Sequence, residues 1–366
     1  MKKTGFGFLR LPRLAAEEDM SVDFTVLNAM VDRFLELGGR YFDTAYTYLG
    51  GVSEEAIRRA LVLRHPRHSF LLADKLPGYL AKSHDACWGY LQTSLDRCGV
   101  DYFDVYMLHW LNEENYEIAQ RYEEFRFLQE VKAAGKTVKT GFSYHDGPEL
   151  LDRILTEHPE VDYVQLQINY LDWDSPSIQA RKCYDVALKH GKKVIVMEPV
   201  KGGNLANLPA AAAELLAQAA PEESPASWAI RFAGSLDQVE VVLSGMNTVA
   251  QMEDNMRQMP VLSDQERELL NRAAEIIRSD TAIACTGCGY CVPNCPIGMP
   301  IPQYFALYND YARNPGEDWK MQFAYKALAE GRQKPDACIV CRKCENSCPQ
   351  KLPITDYLTK ISKAFS

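Results

Sequence analysis

Along roughly the first 260 residues, short runs of β-branched and aromatic side chains alternate with longer stretches whose apolar residues recur every three or four positions. The runs at 5–9, 41–43, 70–75, 103–108, 137–143, 163–167, 194–197 and 239–243 read as strands. Stretches such as 23–37, 53–63, 85–98 and 116–134 carry the 3.6-residue period of amphipathic helices. Strand-then-helix units repeated eight times predict an α/β chain built as a parallel (β/α)8 TIM barrel rather than an open doubly wound sheet. No Gly-x-Gly-x-x-Gly follows the first strand, which removes the main signature of a doubly wound dinucleotide-binding domain. The Ala/Pro-rich stretch 208–225 reads as a helix-rich insertion on the seventh unit, with a linker as the alternative. A helix over 263–279 closes the barrel region, and past Thr281 the pattern changes to three helical segments at 301–313, 319–329 and 353–365. The expected division is therefore a barrel over 1–279 and a small, mainly helical domain over 280–366.

That second domain holds eight of the eleven cysteines, in one phrase written twice: Cys285-x2-Cys288-x2-Cys291-x3-Cys295-Pro296 and Cys338-x2-Cys341-x2-Cys344-x3-Cys348-Pro349. Two-residue gaps let a tight loop wrap three thiolates around one face of an iron-sulfur cube. In the bacterial ferredoxin run of this spacing the fourth Cys reaches the other cube. Two [4Fe-4S] clusters are thus expected with crossed ligation: Cys285, Cys288 and Cys291 with Cys348, and Cys338, Cys341 and Cys344 with Cys295. Three other readings compete. Zinc ribbons pair CxxC motifs across a longer loop and lack a third Cys in phase with a Cys-Pro fourth ligand. A disulfide framework suits a small secreted domain, whereas this chain has 366 residues and opens Met1-Lys2-Lys3 with no long apolar run behind it. Isolated Cys87, Cys98 and Cys183 do read as small buried hydrophobes. Helical patterns after each Cys-Pro and the long gap between quartets predict a helical ferredoxin-like domain rather than the compact β-type.

Composition narrows the partners. At 47% hydrophobic and 24% charged residues the chain is ordinary for a protein with a substantial core. A net charge of -9 and a pI near 5.4, with no basic run, argue against nucleic acid. The longest apolar runs fall short of a membrane span. A cytoplasmic protein is the expectation, and iron-sulfur cubes favour a reducing interior.

In a TIM barrel the chemistry sits where strands end. The second expected strand ends in Asp43, with Tyr46 and Tyr48 behind it; the third ends in Lys75; His109 follows the fourth. A lysine ammonium favours a nearby phenolate and so is expected to draw the tyrosine's pKa toward neutrality. A carboxylate would hold the lysine, and an imidazole would orient a substrate oxygen. A tyrosine so placed protonates the alkoxide forming from a carbonyl.

These residues carry a resemblance. Phe42-Asp43-Thr44-Ala45 with Tyr48, Ala73-Asp74-Lys75 and Leu108-His109 look like the catalytic tetrad of the aldo/keto reductases, and the likeness runs over 4–258. With the double quartet appended, the whole chain is similar to the iron-sulfur-containing branch of that superfamily. The resemblance implies an oxidoreductase interconverting a small-molecule carbonyl and its alcohol, or a related unsaturated substrate, with the clusters relaying electrons and an external carrier as an open partner. It implies Tyr48 as general acid, Asp43 and Lys75 as its tuning pair and His109 as the orienting group. It places Ser143 and Gln165 on the carboxamide of a nicotinamide, and Gly245, Gln251, Asp254 and Asn255 at the adenosine end. Tyr46 competes for the acid's role but is out of phase with the family, and His145 is a loose candidate for the pocket wall.

The departures are as specific. Tyr144 stands where the family has Asn after the serine, Met197-Glu198-Pro199 stands where a ring stacks on the nicotinamide, and Asn247 replaces the Arg that grips a 2'-phosphate. Lys201 is the nearby cation that would compensate. NADH, NADPH and a flavin all stay open on this basis, as does a barrel that only binds a coenzyme and serves electron transfer.

Overall fold

The computed structural model describes residues 3–14, 21–257, 260–313 and 318–365. The chain falls into two compact units, the first Met1–Asp174, Gln179–Pro199 and Ala226–Ser263, the second Ser175–Ile178, Val200–Pro225 and Asp264–Ser366. Division by compactness therefore runs differently from the expected 279/280 boundary: Val200–Pro225 and the helix Asp264–Asp280 group with the cysteines.

In the first unit, β1 (Thr4–Gly7), β2 (Tyr41–Asp43), β3 (Leu71–Leu76), β4 (Phe103–Leu111), β5 (Thr137–Tyr144), β6 (Tyr163–Gln167), β7 (Lys193–Met197) and β8 (Val239–Gly245) pair in parallel and in chain order. β8 returns to β1 through Leu243 beside Gly5, closing the barrel. Side chains alternate across a strand, so every second residue points inward. The inward series packs Tyr41, Ala73, Val105, Met107, Ile195, Val241 and Leu243 into the barrel core. Carried two residues further toward the strands' C-terminal ends, the same series reaches Asp43, Lys75, His109, Ser143 and Gln165. Strand alternation alone thus gathers the expected polar residues at one end. Gly141 is required in this series, because a Cβ there would lie 2.4 Å from the Tyr163 carbonyl oxygen.

The outward series is apolar too, as a strand covered by helices must be. Phe6 and Phe42 meet Phe34 of the helix Phe24–Glu36 and Phe70 meets Phe42, in a tilted and edge-on cluster, each fully or nearly fully buried and worth about 1.5–3 kcal/mol. That helix starts at Asp23, whose carboxylate accepts from the Thr25 and Val26 N–H groups.

Two helices differ from expectation. The 53–63 stretch is helical over Val52–Ile57 and then widens to a π-helical turn, Arg58–Val62. The 116–134 stretch is two helices, Glu113–Arg121 and Glu124–Ala133, broken where Glu123 takes a left-handed φ of 55°. The break turns the buried Glu124 carboxylate against Gly78, and burial pushes its pKa up to about 7. A carboxyl whose native pKa lies above its unfolded value makes the native state less stable as pH rises from about 4.5 through 7. Glu124→Gln is therefore expected to gain on wild type between about pH 5 and about pH 8, by at most about 3 kcal/mol. Denaturant unfolding at both pH values checks this, and an unchanged difference between the two proteins contradicts it.

The second unit is helical among its described residues, with helices Ala210–Ala219, Asp264–Asp280, Ile301–Arg313, Asp318–Ala329 and Ile354–Ala364. Ile283, Met299, Tyr304, Phe305, Leu358 and Ile361 form its core, and Cys291 and Cys344 belong to it. Among the described residues no helix is long and apolar enough to cross a membrane.

Candidate active site and metal centres

Lys75 is fully buried, and its Nζ donates to Asp43 Oδ1 at 2.6 Å and to the Thr44 carbonyl at 2.8 Å. A buried ammonium is tolerated only with such partners. The ammonium lies 5.0 Å from the centre of the Tyr48 ring, and Tyr48 meets the His109 ring edge-on at 5.6 Å. The four tetrad residues are therefore together. Tyr46 is directed elsewhere, packing edge-on against Tyr90 with the Arg97 guanidinium over its ring.

The electrostatics correct one expectation. The Tyr48 phenol is pushed well above its ordinary pKa, first by burial and then by the Asp43 carboxylate, and is not drawn toward neutrality. Asp43 answers the Lys75 charge at close range, and its own pKa is raised by burial against that ammonium's pull. His109 is held well below its ordinary value by burial, then by Lys75 and His145. At neutral pH the site therefore presents a neutral phenol and a neutral imidazole. Tyr79 and Trp110 lie beside them, with Tyr79 6.3 Å from His109 and 5.6 Å from Trp110, and His145 meets the Trp110 ring edge-on at 6.4 Å.

The residues expected to hold a coenzyme separate into groups. Ser143 and Gln165 are register partners on β5 and β6. Ser143 Oγ accepts from the Trp110 N–H at 2.7 Å, while Gln165 Oε1 is buried without a partner. Gln251 Oε1 accepts from the Asn247 N–H, which closes the loop after Gly245, and Asp254 pairs with Arg257 at 3.6 Å. Asn255 is buried, donating to Ser244 Oγ and accepting from Thr4 Oγ1 through its carbonyl, so it ties β8 to β1. Tyr144 is buried with its hydroxyl on the Gly147 carbonyl. Lys201 does not sit as the compensating cation: it belongs to the cysteine-bearing unit, is buried, and donates to Gln350 Oε1 at 2.6 Å. Arg10, a cation not among the expected residues, runs its side chain against Gly245, with Cδ 3.2 Å from where a Cβ would be. Its signal was available, an Arg three residues past the first strand.

In the second unit, Cys285, Cys288, Cys291 and Cys348 line one pocket together with Thr286, Gln350, Phe305 and Ile354. Cys291 feels the charges of Cys288, Cys285 and Cys348, after burial, which is the main cause raising its pKa. Burial likewise raises Cys348, against hydrogen bonds from the Leu352, Gln350 and Lys351 N–H groups. The two quartets share a backbone path. Gly287, Gly289 and Gly298 take left-handed φ, and so do Val340, Arg342 and Lys351, at the same offsets from their cysteines. Left-handed φ is costly for Val340, a β-branched residue, so the surrounding loop must hold it there. Such turns aim successive N–H groups at anionic sulfur, as Gly287 N does toward Cys285 Sγ at 3.4 Å.

A single zinc suits these quartets poorly. Tetrahedral zinc with bonds of ~2.3 Å needs sulfurs ~3.8 Å apart. Among the described residues, the trio of ligand-type atoms lying within 4.8 Å of one another is Glu54, Asp74 and Cys98, and no trio of quartet cysteines closes that far. A larger group such as an iron-sulfur cube suits the wider spacing.

Comparison with known proteins gives the family and the fold. Residues 5–275 match the model of the aldo/keto reductase family and residues 281–352 that of a 4Fe-4S dicluster domain. The chain belongs to the aldo/keto reductase family and carries a C-terminal 4Fe-4S dicluster domain. It is 29% identical over 229 residues to an aldo-keto reductase of Mycolicibacterium vanbaalenii, covering 61% of this chain and 74% of that one. With an aldo-keto reductase of Mycolicibacterium smegmatis it shares 28% identity over 175 residues, 47% of this chain and 58% of its relative. Among solved structures, an aldo-keto reductase of Bacillus halodurans superposes with a TM-score of 0.58 at 23% identity, over 74% of this chain and 91% of that one. An aldo-keto reductase of Klebsiella pneumoniae in complex with NADPH gives 0.59 at 19% identity, over 74% and 90%.

Proposed function

We propose that the barrel interconverts a small-molecule carbonyl and its alcohol with NAD(P)H, and that the second unit holds two [4Fe-4S] clusters which exchange electrons with an external carrier. The observation that carries this is the meeting of Tyr48, the Asp43-paired Lys75 and His109 at one end of the barrel. When bound, a reduced nicotinamide supplies the hydride. The protein's own groups do the rest. The neutral His109 ring orients the carbonyl oxygen toward Tyr48, the Tyr48 phenol gives its proton to that oxygen as negative charge grows there, and the Lys75 ammonium stabilises the phenolate left behind. Tyr79 and Trp110 supply flat apolar walls suited to a small substrate. The unpartnered Gln165 Oε1 is an acceptor suited to a carboxamide N–H, and Ser143 keeps its hydroxyl proton to donate.

Coenzyme choice follows from the same residues. Asn247 cannot make the paired, charge-assisted bonds that Arg makes to a phosphate, and the part of Arg10 that lies against Gly245 is its stem. NADH and NADPH should bind within about tenfold of each other, a gap of about 1.4 kcal/mol. A much larger preference for NADPH in a fluorescence titration overturns this.

The eight quartet cysteines would hold the clusters, which when bound supply one-electron transfer. Cys341 is exposed, directly after the exposed Ile339 and Val340, a position suited to exchange with an outside carrier. A second reading, a flavin in place of nicotinamide, is favoured by β7 ending in Met197-Glu198 where a stacking ring is expected, with Glu198 in a left-handed conformation. A flavin takes electrons in pairs and releases them singly, which would match the barrel to one-electron clusters.

Anaerobic purification, mass analysis of extracted cofactors and a screen of carbonyls with NADH and NADPH test these readings. Carbonyl-dependent oxidation of the nicotinamide supports the first. Extracted flavin with no such turnover transfers the proposal to the second, and neither result leaves a barrel that binds without catalysing.

A further inference from the structure

The two cysteine quartets are near-copies, and the places where they differ are informative. The residue after the first Cys is Thr286 in one and Ile339 in the other; the residue two past the fourth Cys is Gln350 in one and Ile297 in the other. Under crossed ligation both polar residues fall to the cluster of Cys285, Cys288, Cys291 and Cys348, and both isoleucines to its twin. Thr286 and Gln350 line that first pocket, and both are buried, at 5% and 4% exposure. Thr286 Oγ1 and Gln350 Nε2 are buried without a hydrogen-bond partner. A buried hydroxyl and amide left unpaired cost free energy unless something in the pocket accepts from them. The sulfur atoms of a cluster are such acceptors.

Behind them stands Lys201, 2% exposed, donating to Gln350 Oε1 and thereby fixing the amide so that its N–H groups are the free end. The turn carrying Lys201 is built for this place. Gly202 has a φ of 66°, and a Cβ on it would lie 2.5 Å from the Thr286 carbonyl oxygen, so no larger residue passes there. Asn204 Nδ2 donates to the Cys285 carbonyl at 3.0 Å. One turn thus bonds to both chain segments that furnish this quartet. A buried ammonium and a nearby anion stabilise each other. A [4Fe-4S] core with four thiolates is a dianion when oxidised and a trianion when reduced.

We propose that Lys201, Gln350 and Thr286 form a polar brace that raises the reduction potential of the cluster held by Cys285, Cys288, Cys291 and Cys348 above that of its isoleucine-flanked twin. This rests on the assignment of clusters to the quartets. Hydrogen bonds to sulfur and nearby positive charge favour the more negative, reduced form. Thr286 and Gln350 act directly, and Lys201 is a positioning residue acting through Gln350 and through its charge. The two clusters become inequivalent, with the braced one the preferred resting place for an electron entering the unit.

The test is a redox titration of the whole protein, purified anaerobically and followed by electron paramagnetic resonance, with iron counted per chain. Wild type should show two midpoints. Lys201→Met should lower the higher one at least tenfold in the reduced-to-oxidised ratio, about 59 mV for one electron, and leave the lower one in place. Lys201→Arg should restore it. Thr286→Val, nearly isosteric, should lower the same midpoint, and Ile297→Gln should raise the other. These last two carry the test if Lys201→Met fails to fold or to hold iron. Unchanged midpoints in iron-replete Lys201→Met, or in Thr286→Val and Ile297→Gln together, overturn the brace while leaving the clusters standing. Wild type lacking the iron and signals of [4Fe-4S] overturns the cluster assignment itself.

Discussion

Tyr48→Phe is expected to reduce carbonyl turnover about 10²–10⁴-fold, the usual worth of a positioned proton donor. The loss should lie in kcat, with coenzyme binding and iron content unchanged, because the ring and its contacts with His109 and Lys75 survive and one hydroxyl disappears. The direction of the Tyr48 shift adds a second expectation. A phenol pushed well up by burial and by Asp43 stays protonated throughout the neutral range, so the reduction rate should be flat there. The reverse reaction needs the phenolate and should climb with pH over the same range. His109, held neutral by burial and by Lys75, contributes no break near its ordinary value. Wild-type turnover by Tyr48→Phe on a substrate of the native enzyme would remove Tyr48 from the role, and Tyr46, packed under Arg97, would need to swing free to replace it. A bell-shaped reduction profile centred near neutrality would instead mean that the bound coenzyme resets the phenol's surroundings.

The barrel and its tetrad were legible because both are set by short-range rules. Strand alternation puts Asp43, Lys75 and His109 on the inward series two residues beyond Tyr41, Ala73 and Met107, and a reader of the chain can count that. The second unit's helices were legible from periodicity for the same reason. What escaped depends on where a side chain ends up after folding. Lys201 reads as a loop lysine beside two glycines, and only the packed structure buries it on Gln350. Asn255 reads as a coenzyme contact, yet its amide is used on Ser244 and its carbonyl on Thr4, a residue at the far end of the chain. The break at Glu123 sits in a stretch with unbroken helical period, because the gain lies in tertiary packing of Phe125 rather than in local preference. The Tyr48 phenol departs from expectation chiefly because folding takes its ring out of water, with the Asp43 carboxylate adding to the rise. Thr286 and Gln350, by contrast, were visible to anyone aligning the two quartets and asking where they differ.

Cys291→Ala is expected to remove one cluster outright, taking the iron content from roughly eight per chain to roughly four. Cys291 is 7% exposed and belongs to the core of its unit beside Met299, Tyr304 and Phe305, so the loss should also loosen that core. Binding to a site absent from the unfolded chain contributes directly to folding free energy, and the second unit should become protease-sensitive while the barrel retains its coenzyme affinity. The pairing of losses tests the crossing. Cys348 shares a pocket with Cys285, Cys288 and Cys291, so Cys348→Ala should abolish the same paramagnetic signal as Cys291→Ala. Cys295→Ala should abolish the other, along with Cys338→Ala. The double variant Cys291→Ala with Cys348→Ala should then lose no more iron than either single variant, since both ligands serve one cube. If Cys295→Ala removes the signal that Cys291→Ala removes, each quartet holds its own cube and the crossing is wrong. Should each quartet instead yield one zinc in wild type prepared without air, the wide spacing of the sulfurs has been misread and the polar brace around Gln350 has no anion to serve.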